Sequence, residues 1–139
     1  MGENTLWRVR NLNEKILIIE DNPQNMRLLE MTLEGKDYIL LKARDGKEGL
    51  DMAIREHPAL IIMDIQLPRM SGLEVTKRLR QMAEFNHVPI IALTAYSMKG
   101  DREKFLEAGC NVYMPKPINT RALPEMIAQM LQARKQDNR

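Results

Sequence analysis

Glu20, Asp21, Asp64, Thr94 and Lys116 each stand at or just past the end of a short apolar run: Ile16–Ile19, Leu60–Met63, Ile90–Leu93 or Val112–Met114. Asp64 precedes Ile65-Gln66-Leu67-Pro68, which places its carboxylate at a strand-to-loop transition near the surface. A carboxylate so placed can attack phosphorus and become an aspartyl phosphate. Glu20 and Asp21, at the end of a neighbouring run, would repel Asp64 and resist joint ionisation. A hard divalent cation removes that difficulty, and Mg²⁺ suits one or two carboxylates together with phosphoryl oxygens. Lys116 offers a point charge and Thr94 a hydroxyl, and phosphoryl transfer needs mostly positioning and charge neutralisation. Singly, each residue has a plainer explanation. Asp64 could cap a turn, Glu20-Asp21 could favour a helix N-terminus, and Thr or Lys after a strand is common. Jointly they describe a metal-and-phosphoryl site on one edge.

That edge must be built by the elements between the runs. Continuous apolar runs bounded by helical segments are what strands buried on both faces of a parallel sheet look like. In such a sheet chemistry gathers beyond the carboxyl ends of the strands. Strand-like and helix-like segments alternate from about residue 15, the pattern of a doubly wound α/β fold with helices on both faces. The intervals 20 to 64, 64 to 94 and 94 to 116 (44, 30 and 22 residues) accommodate strand–helix–strand crossovers. Asn22 can cap the first helix with Pro23 in its first position, Met26, Leu29 and Leu33 share a face, and Gly35 closes it. A second strand is expected over Tyr38–Leu41. Asp45-Gly46-Lys47-Glu48 and Ser71-Gly72-Leu73-Glu74 read as capping boxes. The fourth helix is expected from about Met98 to Ala108, ending at Gly109. The last carries Leu123, Ile127, Met130 and Leu131, with Pro124 in its first turn.

Composition narrows the function classes. A chain of 139 residues is one domain by length and large enough for a core of its own. The single Cys110 excludes an internal disulfide and a multi-cysteine zinc site, and reads as a small buried hydrophobe. No run approaches a membrane span, and no signal-peptide core is present. The net charge of +2 does not argue for nucleic acid; Arg8, Arg10, Arg134, Lys135 and Arg139 read as solvating the ends. The expectation is a cytoplasmic domain over 15–133, with a loosely held arm (1–14, including Trp7) and a polar tail (134–139). His57 and His87 read as loop residues before strands, and the 11 methionines as adaptable core filling.

The segments Ile18-Ile19-Glu20-Asp21-Asn22, Met63-Asp64-Ile65-Gln66-Leu67-Pro68-Arg69-Met70-Ser71-Gly72, Ala92-Leu93-Thr94-Ala95 and Lys116-Pro117 resemble the receiver domains of two-component response regulators. The similarity spans 15 to about 133. It is strongest toward single-domain receivers of the cell-division-regulator type and receivers of hybrid histidine kinases, especially at Thr94–Asp101. It implies a flavodoxin-like five-stranded parallel sheet of order 2-1-3-4-5. It makes Asp64 the phosphoacceptor, with Asp21, Asp64 and the backbone carbonyl of Gln66 as ligands of Mg²⁺ (or Mn²⁺) and Glu20 contributing directly or through water. Thr94 and Lys116 would bind the phosphoryl group, Tyr113 would be the switch aromatic, and Lys116–Pro117 would be cis. From its residue alone, Tyr113 reads rather as a half-buried strand tyrosine with a wet hydroxyl. Gln66 and Tyr96 flank the expected phosphoryl position and are expected to tune its lifetime through water access.

The resemblance implies a signalling switch that catalyses only its own phosphorylation and dephosphorylation. Its partners would be a sensor histidine kinase or histidine phosphotransfer protein and a downstream protein target, with no direct nucleic-acid contact and no membrane insertion. Phosphorylation would move Thr94 and Tyr113 and rearrange the surface of the fourth helix, fifth strand and fifth helix. A receiver turned constitutive interaction module is one alternative. A haloacid-dehalogenase-type phosphatase would want a second Asp where Gln66 stands. A flavodoxin would want a phosphate-cradling loop where Glu20-Asp21-Asn22-Pro23 presents anions.

Overall fold

The computed structural model describes residues 13–95 and 100–137, with side chains to 134. The strands are β1 (Lys15–Ile19), β2 (Ile39–Ala43), β3 (Leu60–Asp64), β4 (Ile90–Thr94) and β5 (Val112–Pro115). The helices are α1 (Pro23–Leu33), α2 (Gly46–Glu56), α3 (Gly72–Arg80), α4 (Asp101–Ala108) and α5 (Ala122–Asp137), with a 3₁₀ turn at Ala83–Phe85. The strands form one parallel sheet of order β2-β1-β3-β4-β5. β1, β3 and β4 are almost wholly buried because helices cover both faces.

Alternation along the central strands divides the interior in two. Leu17, Ile19, Ile61, Met63, Ile90 and Ala92 pack with α2, α3 and α4 through Leu50, Ala53, Val75, Leu79 and Phe105. Ile16, Ile18, Leu60, Ile62, Ile91 and Leu93 pack on the other side with Met26, Leu29 and Leu33 of α1 and Leu123, Ile127 and Leu131 of α5. Cys110 is buried in the first of these layers. Among the described residues no helix is long and apolar enough to cross a membrane.

The caps form largely as the residues dictate. Asn22 Oδ1 accepts from Asn25 N at 2.9 Å and Pro23 opens α1. Asp45 Oδ1 accepts from Glu48 N at 2.8 Å, while the Glu48 carboxylate reaches Arg44 N, one residue before the cap. At α3 half of the expected box forms: Ser71 Oγ accepts from Glu74 N at 3.2 Å, but the Glu74 carboxylate turns to Arg78 Nε at 2.9 Å.

Three boundaries and the setting of one side chain differ from the sequence reading. β2 runs on through Lys42 and Ala43; it is an edge strand, so exposed Lys42, paired with Glu30 at 3.0 Å, interrupts the apolar run without ending the strand. α4 starts at Asp101, because Gly100 holds a left-handed backbone (φ 93°) outside any helix; Met98 lies outside the described residues. α5 continues to Asp137, into the stretch read as tail. Arg134 is half-buried and pairs with Glu14 at 3.3 Å rather than solvating an end. The arm up to residue 12, including Trp7, Arg8 and Arg10, lies outside the described residues, as do Arg139 and the side chain of Lys135.

α3 closes on the loop after β3 at Gly72. A Cβ there would stand 2.7 Å from Asp64 O and 3.1 Å from Ile65 Cα, backbone atoms that cannot swing aside. Gly72→Ala is expected to cost about 1–3 kcal/mol through overpacking, read as a lower urea midpoint with an unchanged slope.

Candidate phosphoryl and metal site

The carboxyl ends of β1, β3, β4 and β5 converge, and main-chain bonds carry each ladder one step past its strand. Glu20 N donates to Ala43 O at 3.0 Å, Ile65 N to Leu93 O at 2.9 Å and Lys116 N to Thr94 O at 2.7 Å. The residues at these turns are therefore fixed by sheet geometry rather than by flexible loops.

Glu20, Asp21 and Asp64 each offer a carboxylate oxygen within 4.8 Å of the others. Glu20 is 1% and Asp64 7% exposed, while Asp21 faces solvent. Glu20 Oε2 accepts from Asn22 N at 3.1 Å and Asp64 Oδ1 from Gln66 N at 3.1 Å. The Lys116 ammonium sits between the two buried acids, 2.8 Å from Asp64 Oδ2 and 3.1 Å from Glu20 Oε1. Thr94 is buried at the end of β4, and its register partner Pro115 precedes Lys116. The Lys116–Pro117 bond is cis. Gln66 is exposed two residues past Asp64. Tyr113, on β5, is half-buried, its ring 5.8 Å from that of Phe105 on α4. Tyr96 lies outside the described residues.

Burial raises the Glu20 carboxyl above its ordinary value and the Asp64 charge adds to this, against the Asn22 and Lys116 hydrogen bonds that lower it. Burial pulls the Lys116 ammonium down, but its bonds to Asp64 and Glu20 outweigh burial and leave it above its ordinary 10.5. Three clustered carboxylates, two of them bonded to one ammonium, form an oxygen-rich site, the donor set a hard dication prefers.

Some of this arrangement was not visible in the sequence. Asn22 caps α1 with its side chain while its N–H holds Glu20. Gly72 reads as a capping-box position but is required by the approach of α3 to Asp64; a glycine directly after a cap and just beyond a reactive loop is the available hint.

His57 ends α2 in a left-handed conformation (φ 50°) with its ring stacked on Phe85, and His87 is exposed before β4. Neither stands among the residues gathered around Asp64.

Removing the ammonium strands the buried acids. In metal-free buffer at pH 7, Lys116→Met is expected to cost about 2 kcal/mol, below the usual range for a broken buried pair because the site opens to solvent. Glu20 is raised, so the folded state keeps a proton that the unfolded chain releases from pH 4.5 upward. The deficit should therefore be largest at neutral pH and shrink as the pH falls toward 4.5. The wild-type contribution of Lys116 should persist below 10.5 and fade above it. Denaturant titrations across pH check both signs.

Known proteins resemble this chain along most of its length. The response regulator receiver domain profile matches residues 16–128. The polar-differentiation response regulator DivK of Brucella ovis is 45% identical over 120 residues, covering 86% of this chain and 98% of that protein. The receiver domain of a sensor histidine kinase from Pseudomonas aeruginosa, solved with magnesium in its active-site cleft, superposes with a TM-score of 0.79 at 35% identity, covering 86% of this chain and 98% of that one. A CheY-like receiver domain protein from Methanospirillum hungatei gives 0.83 at 28% identity, covering 90% and 98%. By sequence and fold, the chain belongs to the response regulator receiver domain family of two-component signalling.

Proposed function

We propose that the chain is a phosphorylation-driven switch with Asp64 as its phosphoacceptor. The observation that carries this reading is the Asp64 carboxylate held 2.8 Å from the Lys116 ammonium beside two further acids. The donor is a phosphohistidine of a sensor histidine kinase or phosphotransfer protein. An Asp64 oxygen attacks phosphorus, the N–P bond breaks and the imidazole leaves. Lys116 holds one phosphoryl oxygen and Thr94 donates its hydroxyl to another. Asp21, Asp64 and the Gln66 carbonyl would hold Mg²⁺ or Mn²⁺, with Glu20 directly or through water. When bound, the dication neutralises the charge gathered on carboxylates and phosphoryl oxygens.

The switch follows from the new charge at the sheet edge. Thr94 moves toward the phosphoryl group and Tyr113 takes an inward rotamer, so the α4–β5–α5 surface changes. Contact between Tyr113 and Phe105 supports a route from β5 into α4. A two-state packing element is then biased by a local event, and its readout is binding to a downstream protein target.

Incubation with Mg²⁺ and acetyl phosphate should add one phosphoryl mass to wild type and none to Asp64→Ala, read by intact mass, with EDTA abolishing the gain. Labelling that persists in Asp64→Ala would move the acceptor elsewhere. No Mg²⁺-dependent labelling in wild type would favour a constitutive interaction module.

Gln66 and Tyr96 are proposed to shield the aspartyl phosphate from water. Gln66→Ala and Tyr96→Ala should each shorten the phosphoprotein half-life by a factor on the order of three, followed by the decay of the phosphorylated mass. Unchanged decay in both variants would remove the shielding role.

A further inference from the structure

Arg80, the last residue of α3, is half-buried, and its guanidinium reaches three separate acceptors. Nε donates to Gly109 O at 3.0 Å, Nη1 to Phe85 O, and Nη2 to Asn111 Oδ1 at 3.0 Å. Asn111 Oδ1 also accepts from Ile90 N at 2.8 Å, while Asn111 N donates to Ile90 O at 2.8 Å. One side chain thus ties the end of α3 to the 3₁₀ turn, the start of β4 and the α4–β5 junction. The fit is close: Gly109 has φ 117°, and a Cβ there would stand 2.5 Å from Arg80 Cγ. A planar fork with several fixed donors suits this task, where a single ammonium could not span the acceptors. Burial pulls the guanidinium below its ordinary value, but it stays charged at neutral pH.

The described residues give the opposite end of α4 no side-chain cap. Gly100 is its N-cap with no side-chain hydrogen bond, and Phe105 is the one buried residue of the helix. The Phe105 ring meets Tyr113, which lies two residues beyond the clamped Asn111.

We infer that Arg80 is a positioning residue, the pivot that fixes the C-terminal end of α4 and the start of β5 in both states of the switch. A rearrangement at Thr94 and Tyr113 then displaces α4 from its N-terminal end. This rests on the phosphoryl-switch reading. A helix free at both ends would absorb the Tyr113 movement by a local shift. A helix pinned at one end must tilt, and its exposed face moves with it.

The test is amide hydrogen exchange on the whole chain, with and without Mg²⁺ and beryllium fluoride as the phosphoryl mimic. In wild type, exchange over Asp101–Lys104 should respond to the fluoride while Gly109–Asn111 stays constant. Arg80→Lys keeps the charge but cannot bridge the acceptors. It should speed exchange at Gly109–Asn111 by about tenfold without fluoride and make that segment responsive to it. Asn111→Ala attacks the same network from its other side and should behave alike if Arg80→Lys does not fold. Equal responses at both ends in wild type, or wild-type exchange in Arg80→Lys, would overturn the pivot. Absence of any fluoride response would instead overturn the switch reading and the pivot's role in it, while the fluoride-free arm still reports whether Arg80 anchors the junction.

Discussion

Two carboxylates cannot be buried side by side without a positive charge, and Lys116 answers that demand. Its ammonium lies within 3.1 Å of both Glu20 and Asp64; Asp64 ends β3, while Glu20 and Lys116 directly follow β1 and β5. Holding them together requires a frame that does not yield when like charges push apart. The parallel sheet provides it: the backbone of Lys116 is bonded to Thr94 O and that of Glu20 to Ala43 O, so separating the acids means breaking ladder bonds. A carboxylate held at a strand end beside a cation is the geometry the proposed phosphoryl acceptor needs.

The rigidity of the frame comes from division of labour between its two apolar layers. Each central strand sends alternate side chains to opposite layers, so a shift of one strand by one residue would exchange every buried side chain for its neighbour. That penalty locks the register, and the register in turn aligns Asp64 with Leu93 and Thr94 with Pro115. The position of the site is a consequence of core packing, not a separate design.

Asp64 and Lys116 could be singled out from residue order because apolar runs mark buried strands and the chemistry lies one step past each. The α1 cap was equally legible, since Asn-Pro before an apolar face has one common use. Where neighbours in space decide, the sequence was silent. Lys42 looks like a strand end until the edge position of β2 and its pairing with Glu30 are known. Arg134 looks like a solvated tail until Glu14 is found beside it. Arg80 resembles any basic residue closing a helix; its acceptors lie 5 to 31 positions further along. The second half of the α3 capping box was lost to competition, because Arg78 offers Glu74 a charged partner one turn away.

A small charge event can move only an element that is cheaply displaced. α1 buries Met26, Leu29 and Leu33, and α5 buries Leu123, Ile127 and Leu131. Each such side chain contributes about 1.5–3 kcal/mol, so displacing either helix would cost more than displacing one that buries a single such side chain. α4 buries Phe105 alone. Its hold on the domain is then of the same order as the roughly 5.5 kcal/mol needed to invert a two-state population. In the proposed switch, the element that touches Tyr113 is therefore also the one most cheaply shifted by a local event at the sheet edge. The light packing of α4 lets it move while α1 and α5 stay anchored.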